Sequence, residues 1–348
     1  MKILIVKTSA LGDVLQAFCV LSYLRKNHPN CKIHWVIEEK LKALVESHPW
    51  IDKAIAIDKK KKSSFLQVRK EKYDVVFDLQ GNTKSAVLTF LAKAKEKIGF
   101  GKKTVKELPN LLVTKRKFNP PSSLNIRQQY IHLVSSFFKF PQEALISSPF
   151  LKISDKEKTE IDKVLLEIST KEKKLLIAPW SNWENKQLSF SCLVDFLTKI
   201  KKSYAPFFLF VWGNEEEKEK AVKLQMKLGG LVLPKLTFSS LQSVMQNVDG
   251  MIGSDSSLLH LAGLSKLASF SFFGPTHPDI FKPQENSHYH YFGKCPYNVF
   301  FVKQCPHLRS CKTGACLKYI NPESLFKKFK NWADLFIKKE VKKEPLLK

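Results

Sequence analysis

Short apolar runs alternate along the chain with amphipathic stretches of helical period, and the alternation occurs twice. In the first half, residues 3–6, 33–37, 54–57 and 75–79 are apolar runs of strand length. Between them, residues 14–26 place Val14, Leu15, Phe18, Leu21 and Leu24 on one helical face, and residues 41–47 and 83–93 predict further helices. His28, Pro29 and Asn30 end the first of these helices. Alternating strand and helix predict a mostly parallel sheet covered by helices. The stretch 102–123 is basic, contains proline and has no period, so it is expected as loop. A helix resumes over 126–138.

The second half restarts after a mixed region with a strand-like run at 150–153 and a charged helix at 155–168. Strands are expected at 175–177, 207–212, 231–233, 250–253 and 268–273, with helices at 190–200, 215–228, 239–246 and 257–264. The expected organisation is two doubly wound α/β domains, 1–165 and 171–324, with a cleft between them. In such sheets ligands bind where loops leave the carboxyl ends of strands. The remainder, 325–348, is a basic tail whose helix puts Leu325, Phe329, Trp332 and Phe336 on one face. That face suits packing, with the first domain as its expected partner, or a membrane surface.

Length and charge narrow the picture. A chain of 348 residues suits two domains. No apolar run approaches the roughly 20 residues of a membrane span. The first apolar run meets Lys7 too soon for a signal peptide, so a cytoplasmic location is expected. The net charge of +26 calls for polyanionic partners. Lysines outnumber arginines 53 to five, however, and base readout and bidentate phosphate recognition favour Arg. The charge therefore predicts attraction to an acidic surface, with no nucleic-acid partner. The seven cysteines are expected to be reduced in that compartment, with Cys19, Cys31 and Cys192 as small core residues. Cys305, Cys311 and Cys316, with Cys295 and His307 nearby, lack the C-x2-C pairs of a strong zinc site. No metal is assigned there, although a structural metal stays open beside reduced thiols.

Four loops carry candidate chemistry. Lys7-Thr8-Ser9-Ala10-Leu11-Gly12-Asp13 follows the first strand, and Gly12 permits a tight turn. Asp13 is either a helix cap or a general base. In Trp180 to Lys186, Ser181 offers a hydroxyl and Lys186 an ammonium to a diphosphate; an ordinary surface loop is the alternative. Glu215, Glu216 and Glu217 follow a strand, where an acid can take two ribose hydroxyls, or simply favour a helix N-terminus. Gly253 to His260 joins a strand to a helix, and backbone N–H groups at that helix start suit a pyrophosphate. No Asp-x-Asp occurs, which fits chemistry independent of a divalent ion.

The run Lys-Thr-Ser-x-x-Gly-Asp-Val-Leu at the N-terminus resembles the ADP-heptose:lipopolysaccharide heptosyltransferases of glycosyltransferase family nine. Residues 35–39, Trp-Val-Ile-Glu-Glu, look most like the heptosyltransferase I branch. Residues 78–85 resemble the family's Asp-x-Gln-Gly-x-x-Lys-Ser segment. Residues 253–260 and 273–276 resemble its Asp-Thr/Ser-Gly-x-x-His and Gly-Pro-Thr/Ser pair, with Ser257 in place of the Gly. After Lys186 the usual Trp-Pro is replaced by Gln187-Leu188.

The resemblance implies the GT-B fold, two Rossmann-like domains facing a central cleft, and an inverting transfer of heptose from ADP-heptose to Kdo of lipid A without a cofactor. It implies Asp13 as base and Lys186 as the catalytic phosphate partner. Ser9 and Gly12 are assigned to substrate with Asp13, and Lys60 and Lys61 to the acceptor's carboxylates and phosphates. On the donor side it implies Ser181, Glu216 in preference to Glu217, Asp255 for heptose hydroxyls, and Ser256, Ser257 and Leu258 for phosphates. His260 would face the cleft or buttress it. The acceptor places the enzyme on the inner face of the cytoplasmic membrane. Two other readings stay open: a related transferase adding a later heptose or another sugar, and a non-catalytic basic protein that binds polyanions or membranes.

Overall fold

The computed structural model describes residues 1–58, 60–140, 148–171 and 173–337. It divides into two compact units, Met1–Ile153 and Ser154–Lys348. In the first, the strands β1 (Lys2–Val6), β2 (Lys32–Glu38), β3 (Lys53–Ile57), β4 (Lys72–Asp78), β5 (Lys93–Phe100) and β6 (Arg116–Phe118) form one sheet in the order β3-β2-β1-β4-β5-β6. Every pairing in it is parallel. Ile3, Leu4, Ile5 and Val6 are fully buried, as a central strand covered by helices on both faces requires.

The second unit repeats the plan. Its strands β7 (Lys174–Ala178), β8 (Phe207–Phe210), β9 (Leu231–Val232), β10 (Gly250–Ser254), β11 (Ser269–Phe273) and β12 (His288–Phe292) run β12-β11-β10-β7-β8-β9, again all parallel. In each sheet the winding reverses at the centre, between β1 and β4 and between β10 and β7. Loops leave such a switch point in opposite directions and open a crevice at the strands' carboxyl ends.

The expected alternation is present, with informative departures. β5, β6 and β12 lie where no strand was expected. The first half of β5 is Lys93-Ala94-Lys95-Glu96-Lys97, too polar to read as a buried run, and its lysines are largely exposed. The expected strand at 150–153 is absent; Leu151 is buried in extended chain and Lys152 N–H donates to the Ser47 carbonyl at 2.7 Å. The helix expected over 14–26 begins earlier and breaks at Phe18, giving Leu11–Ala17 and Cys19–Asn27.

The division between units falls ahead of the expected domain end at residue 165. Ser154 and Glu157 cap the helix Asp155–Ile168 reciprocally, and Glu157 also accepts from Ser239 at 2.8 Å and from Thr237. These bonds tie the helix to Phe238–Met245 of the second unit. The tail helix, expected against the first domain, also belongs to the second. Pro322–Phe336 buries Leu325, Phe329 and Trp332 completely, and the Phe329 ring meets Phe196 and Phe270 edge-on at 5.6 and 5.5 Å. Gly250 makes room for it, because a Cβ there would sit 2.7 Å from the Trp332 ring. The rest of the expected tail, from residue 338, and Lys59 of the charged loop lie outside the described residues.

Candidate active site

Asp13 leaves the carboxyl end of β1 on the helix Leu11–Ala17. The cap position of that helix is Ala10, so Asp13 is not the cap; it is the third residue of the first turn. Its carboxylate instead meets the Lys7 ammonium at 3.2 Å and the Lys106 ammonium at 3.6 Å. Lys7 is fully buried, with its Nζ 5.2 Å from the Tyr130 ring centroid. A charge withdrawn from water to that extent needs a partner, and Asp13 supplies it. Lys106 comes from the stretch expected as loop. Gly81 holds that stretch in place: its carbonyl accepts from Lys106 N–H and Glu107 N–H at 3.0 Å, and its φ of +70° suits glycine.

Three of the sequence segments singled out above converge here. Ser9 N–H donates to the Gln80 side chain at 3.4 Å, and Lys84 pairs with the buried Glu38 at 3.0 Å. Asp78 is a buried organiser: Oδ1 accepts from Gln80 and Gly81 N–H, and Oδ2 from Thr89 and Asn110. Ser9, in the loop after β1, and Gly12 and Asp13, in the first turn of the helix that follows, thus lie together at the switch point. Lys60 and Lys61 lie elsewhere, exposed after β3, two strands over from β1.

The second unit assembles a tighter cluster between β7 and β10. The Lys186 ammonium, on the turn Glu184–Lys186 after β7, lies 2.6 Å from Asp255 Oδ2. Thr276 Oγ1 donates to the same oxygen at 2.6 Å, and His260 Nε2 lies 3.9 Å from Oδ1. His260 is thus buried within ion-pair reach of Asp255. Burial pushes the Asp255 carboxyl up, but the charges of Lys186 and His260 and the bonds from Lys186 and Thr276 outweigh it and hold it below its ordinary value. Ser256 occupies the cap position of the helix Ser257–Leu264, yet its hydroxyl makes no cap bond; that oxygen is buried and has no partner among the described residues. Ser257 and Leu258 form the first turn beside it, half-buried.

Ser181 follows β7, its Oγ accepting from Trp183 N–H at 3.4 Å. The two glutamates divide cleanly. Glu217 bends back to accept from Gly213 N–H at 2.6 Å, whereas Glu216 pairs with Lys220, whose ammonium lies 5.8 Å from the Trp180 ring centroid. Cys295, Cys305, Cys311 and Cys316 are free thiols. Burial pushes the Cys316 thiol up to about 11, helped by the charges of Cys295, Cys311 and Cys305. Among the described residues no group of three His, Cys, Asp or Glu side chains is arranged to hold a metal ion.

Two carboxylates paired with lysines, each at the switch point of its own sheet, fit transfer chemistry on a phosphorylated substrate. The family model described as glycosyltransferase family 9 (heptosyltransferase) matches residues 63–309. The chain belongs to glycosyltransferase family 9. It is an enzyme of that heptosyltransferase family, which sets aside the non-catalytic reading. It is 30% identical over 305 residues to lipopolysaccharide heptosyltransferase 1 of Campylobacter coli, covering 82% of this chain and 88% of the relative. Its fold is that of the GT-B heptosyltransferases. The Escherichia coli heptosyltransferase WaaC, solved with ADP, is similar with a TM-score of 0.71 and 20% identity, over 84% of this chain and 93% of that one. The E. coli ADP-heptose lipopolysaccharide heptosyltransferase II is similar with a TM-score of 0.71 and 15% identity, over 96% and 99%. No helix among the described residues is long and apolar enough to cross a membrane.

Lys7, Lys106, Lys84, Glu38 and Thr276 join these two clusters with no role assigned from the sequence. Lys7 had a signal, a lysine closing a fully apolar strand. Lys106 had none, because long-range bonds to Gly81 and Thr83 bring its loop to Asp13.

Proposed function

We propose that this family 9 enzyme transfers heptose from ADP-heptose to Kdo of lipid A, the first heptose of the lipopolysaccharide inner core, at the cytoplasmic face of the membrane. The first unit binds the acceptor and the second the nucleotide sugar. The observation that carries the reading is the contrast between a partly exposed Asp13 and a buried, saturated Asp255 at equivalent switch points. The similarity to heptosyltransferase 1 of C. coli supports the first heptose over a later one.

On the donor side, the Lys186 ammonium offsets charge on the departing ADP, and Ser181 donates to the diphosphate. The Ser256 hydroxyl and the free N–H groups of Ser257 and Leu258 suit the same anion. Asp255, fixed by Thr276 and His260, accepts from heptose hydroxyls, and Glu216 from the ribose. On the acceptor side, Asp13 takes the proton of the attacking Kdo hydroxyl as its oxygen bonds to the anomeric carbon and the bond to ADP breaks. Lys7 and Lys106 hold Asp13 against the charge it loses. The acceptor's own carboxylates compete for the half-exposed Lys106, with Ser9, Gly12, Lys60 and Lys61 as further contacts.

The test is release of ADP from ADP-heptose by the purified protein, with and without Kdo-lipid A. Release that depends on this acceptor is expected. Release only with an already heptosylated acceptor would reassign the enzyme to a later step.

A further inference from the structure

The tail helix offers no membrane anchor, because its apolar face is packed in the second unit's core. A different apolar surface is open, on the first unit. The helix Thr83–Leu91 exposes Val87 and Phe90 on one face, Phe90 at 68%. The helix Asn110–Val113 packs against it and exposes Leu112 at 88%, with Leu108 just ahead. Glu107 ties this segment down by accepting from Thr83 N–H and Thr83 Oγ1.

The chain segment that carries Leu108 and Leu112 is strongly basic. Residues 102–117 carry Lys102, Lys103, Lys106, Lys115, Arg116 and Lys117 against a single acid, Glu107. Lys97 lies over the Phe90 ring, its Nζ 5.9 Å from the centroid. The same segment bears Lys106 on Asp13, so the apolar face and the acceptor carboxylate are parts of one structure.

We propose that Val87, Phe90, Leu108 and Leu112 form a bilayer-docking surface, entering the headgroup boundary while Lys97 and the lysines of residues 102–117 bind anionic lipid. This rests on the reading of a lipid-linked acceptor. Exposed apolar side chains on a strongly basic segment, with Lys97 over Phe90, match an anionic membrane in both chemistry and sign. A second copy fits poorly, since a two-fold contact would bring one basic segment against another. The surface holds the enzyme where its acceptor sugar stands and aligns Asp13 with the membrane plane.

The experiment is sedimentation of the full chain with vesicles of phosphatidylethanolamine and phosphatidylglycerol, and with phosphatidylcholine alone. Wild type is expected to bind the anionic vesicles and to release with salt. Phe90→Ser and Leu112→Ser should each lower partitioning about tenfold, the worth of one apolar side chain. Lys102→Ala with Lys103→Ala should weaken binding to anionic vesicles only. All variants should turn over a water-soluble, deacylated Kdo acceptor like wild type. Unchanged vesicle binding in both serine variants, with normal soluble turnover, would overturn the docking surface. So would a wild-type dimer that the serine variants dissociate. Loss of soluble turnover in the wild type would instead reject the function on which the inference rests.

Discussion

Asp13 follows β1, the first strand of its sheet, and Asp255 follows β10, the fourth strand of its own; both stand beside a switch point, yet their surroundings differ. Asp13 keeps 32% of its side chain exposed and meets lysines at 3.2 and 3.6 Å; Asp255 keeps 5% and is saturated by Lys186, Thr276 and His260. A carboxylate that water and substrate can reach is able to exchange a proton. One enclosed by three partners holds its charge and its position, and serves as a fixed acceptor for hydroxyls. On the proposed mechanism, the same fold builds a reactive group in one unit and a positioning group in the other.

The sharpest way to break this contrast is Asp13→Asn. Turnover should fall by about a thousandfold, as for loss of a general base, while calorimetric donor affinity is retained. Equal loss of donor binding would make Asp13 a donor contact and collapse the distinction.

The buried pair should respond in stability as well as in binding. Lys186→Met leaves Asp255 enclosed without its ammonium and should cost about 3 kcal/mol in denaturant unfolding, together with weaker ADP-heptose binding. The wild-type pair also carries a pH signature. Because the folded Asp255 pKa lies below its ordinary 3.8, its stabilisation is present above that value and lost as pH falls through the folded one. Acid unfolding of Lys186→Met should therefore be flatter there, and an unchanged acid limb would assign the stabilisation elsewhere.

Gly253→Ala tests whether the strands set the pair. A Cβ at Gly253 would lie 2.5 Å from the Ala178 carbonyl oxygen and force β10 from β7. A loss of about 2 kcal/mol is expected, with reduced donor affinity, since Lys186 and Asp255 leave these two strands. The smallest effect separates the neighbouring acids. Glu216→Gln should weaken donor binding about tenfold through a lost ribose contact, whereas Glu217→Gln should lower stability by about 1 kcal/mol and leave affinity alone.

Much of this architecture was legible beforehand. The helices Ile126–Phe138, Asp155–Ile168, Glu215–Leu228 and Ser257–Leu264 lie where periodicity put them, because each carries an apolar stripe of helical spacing. Strands β5 and β12 escaped because their positions alternate or carry charge instead of forming an apolar run. Lys7 and Thr276 sat within quoted motifs without an assigned role, since a motif names residues but not the partners that saturate them.

The order of apolar and polar positions was enough to determine the central strands of two parallel, helix-covered sheets and the four loops at strand ends where chemistry can gather. Tertiary structure alone decided which lysine meets which carboxylate, that the tail helix closes the second core, and that Val87, Phe90, Leu108 and Leu112 remain exposed. The reason is physical. Periodicity records each segment's own burial, while pairing and exposure depend on which distant segments the folded backbone brings within a few ångströms.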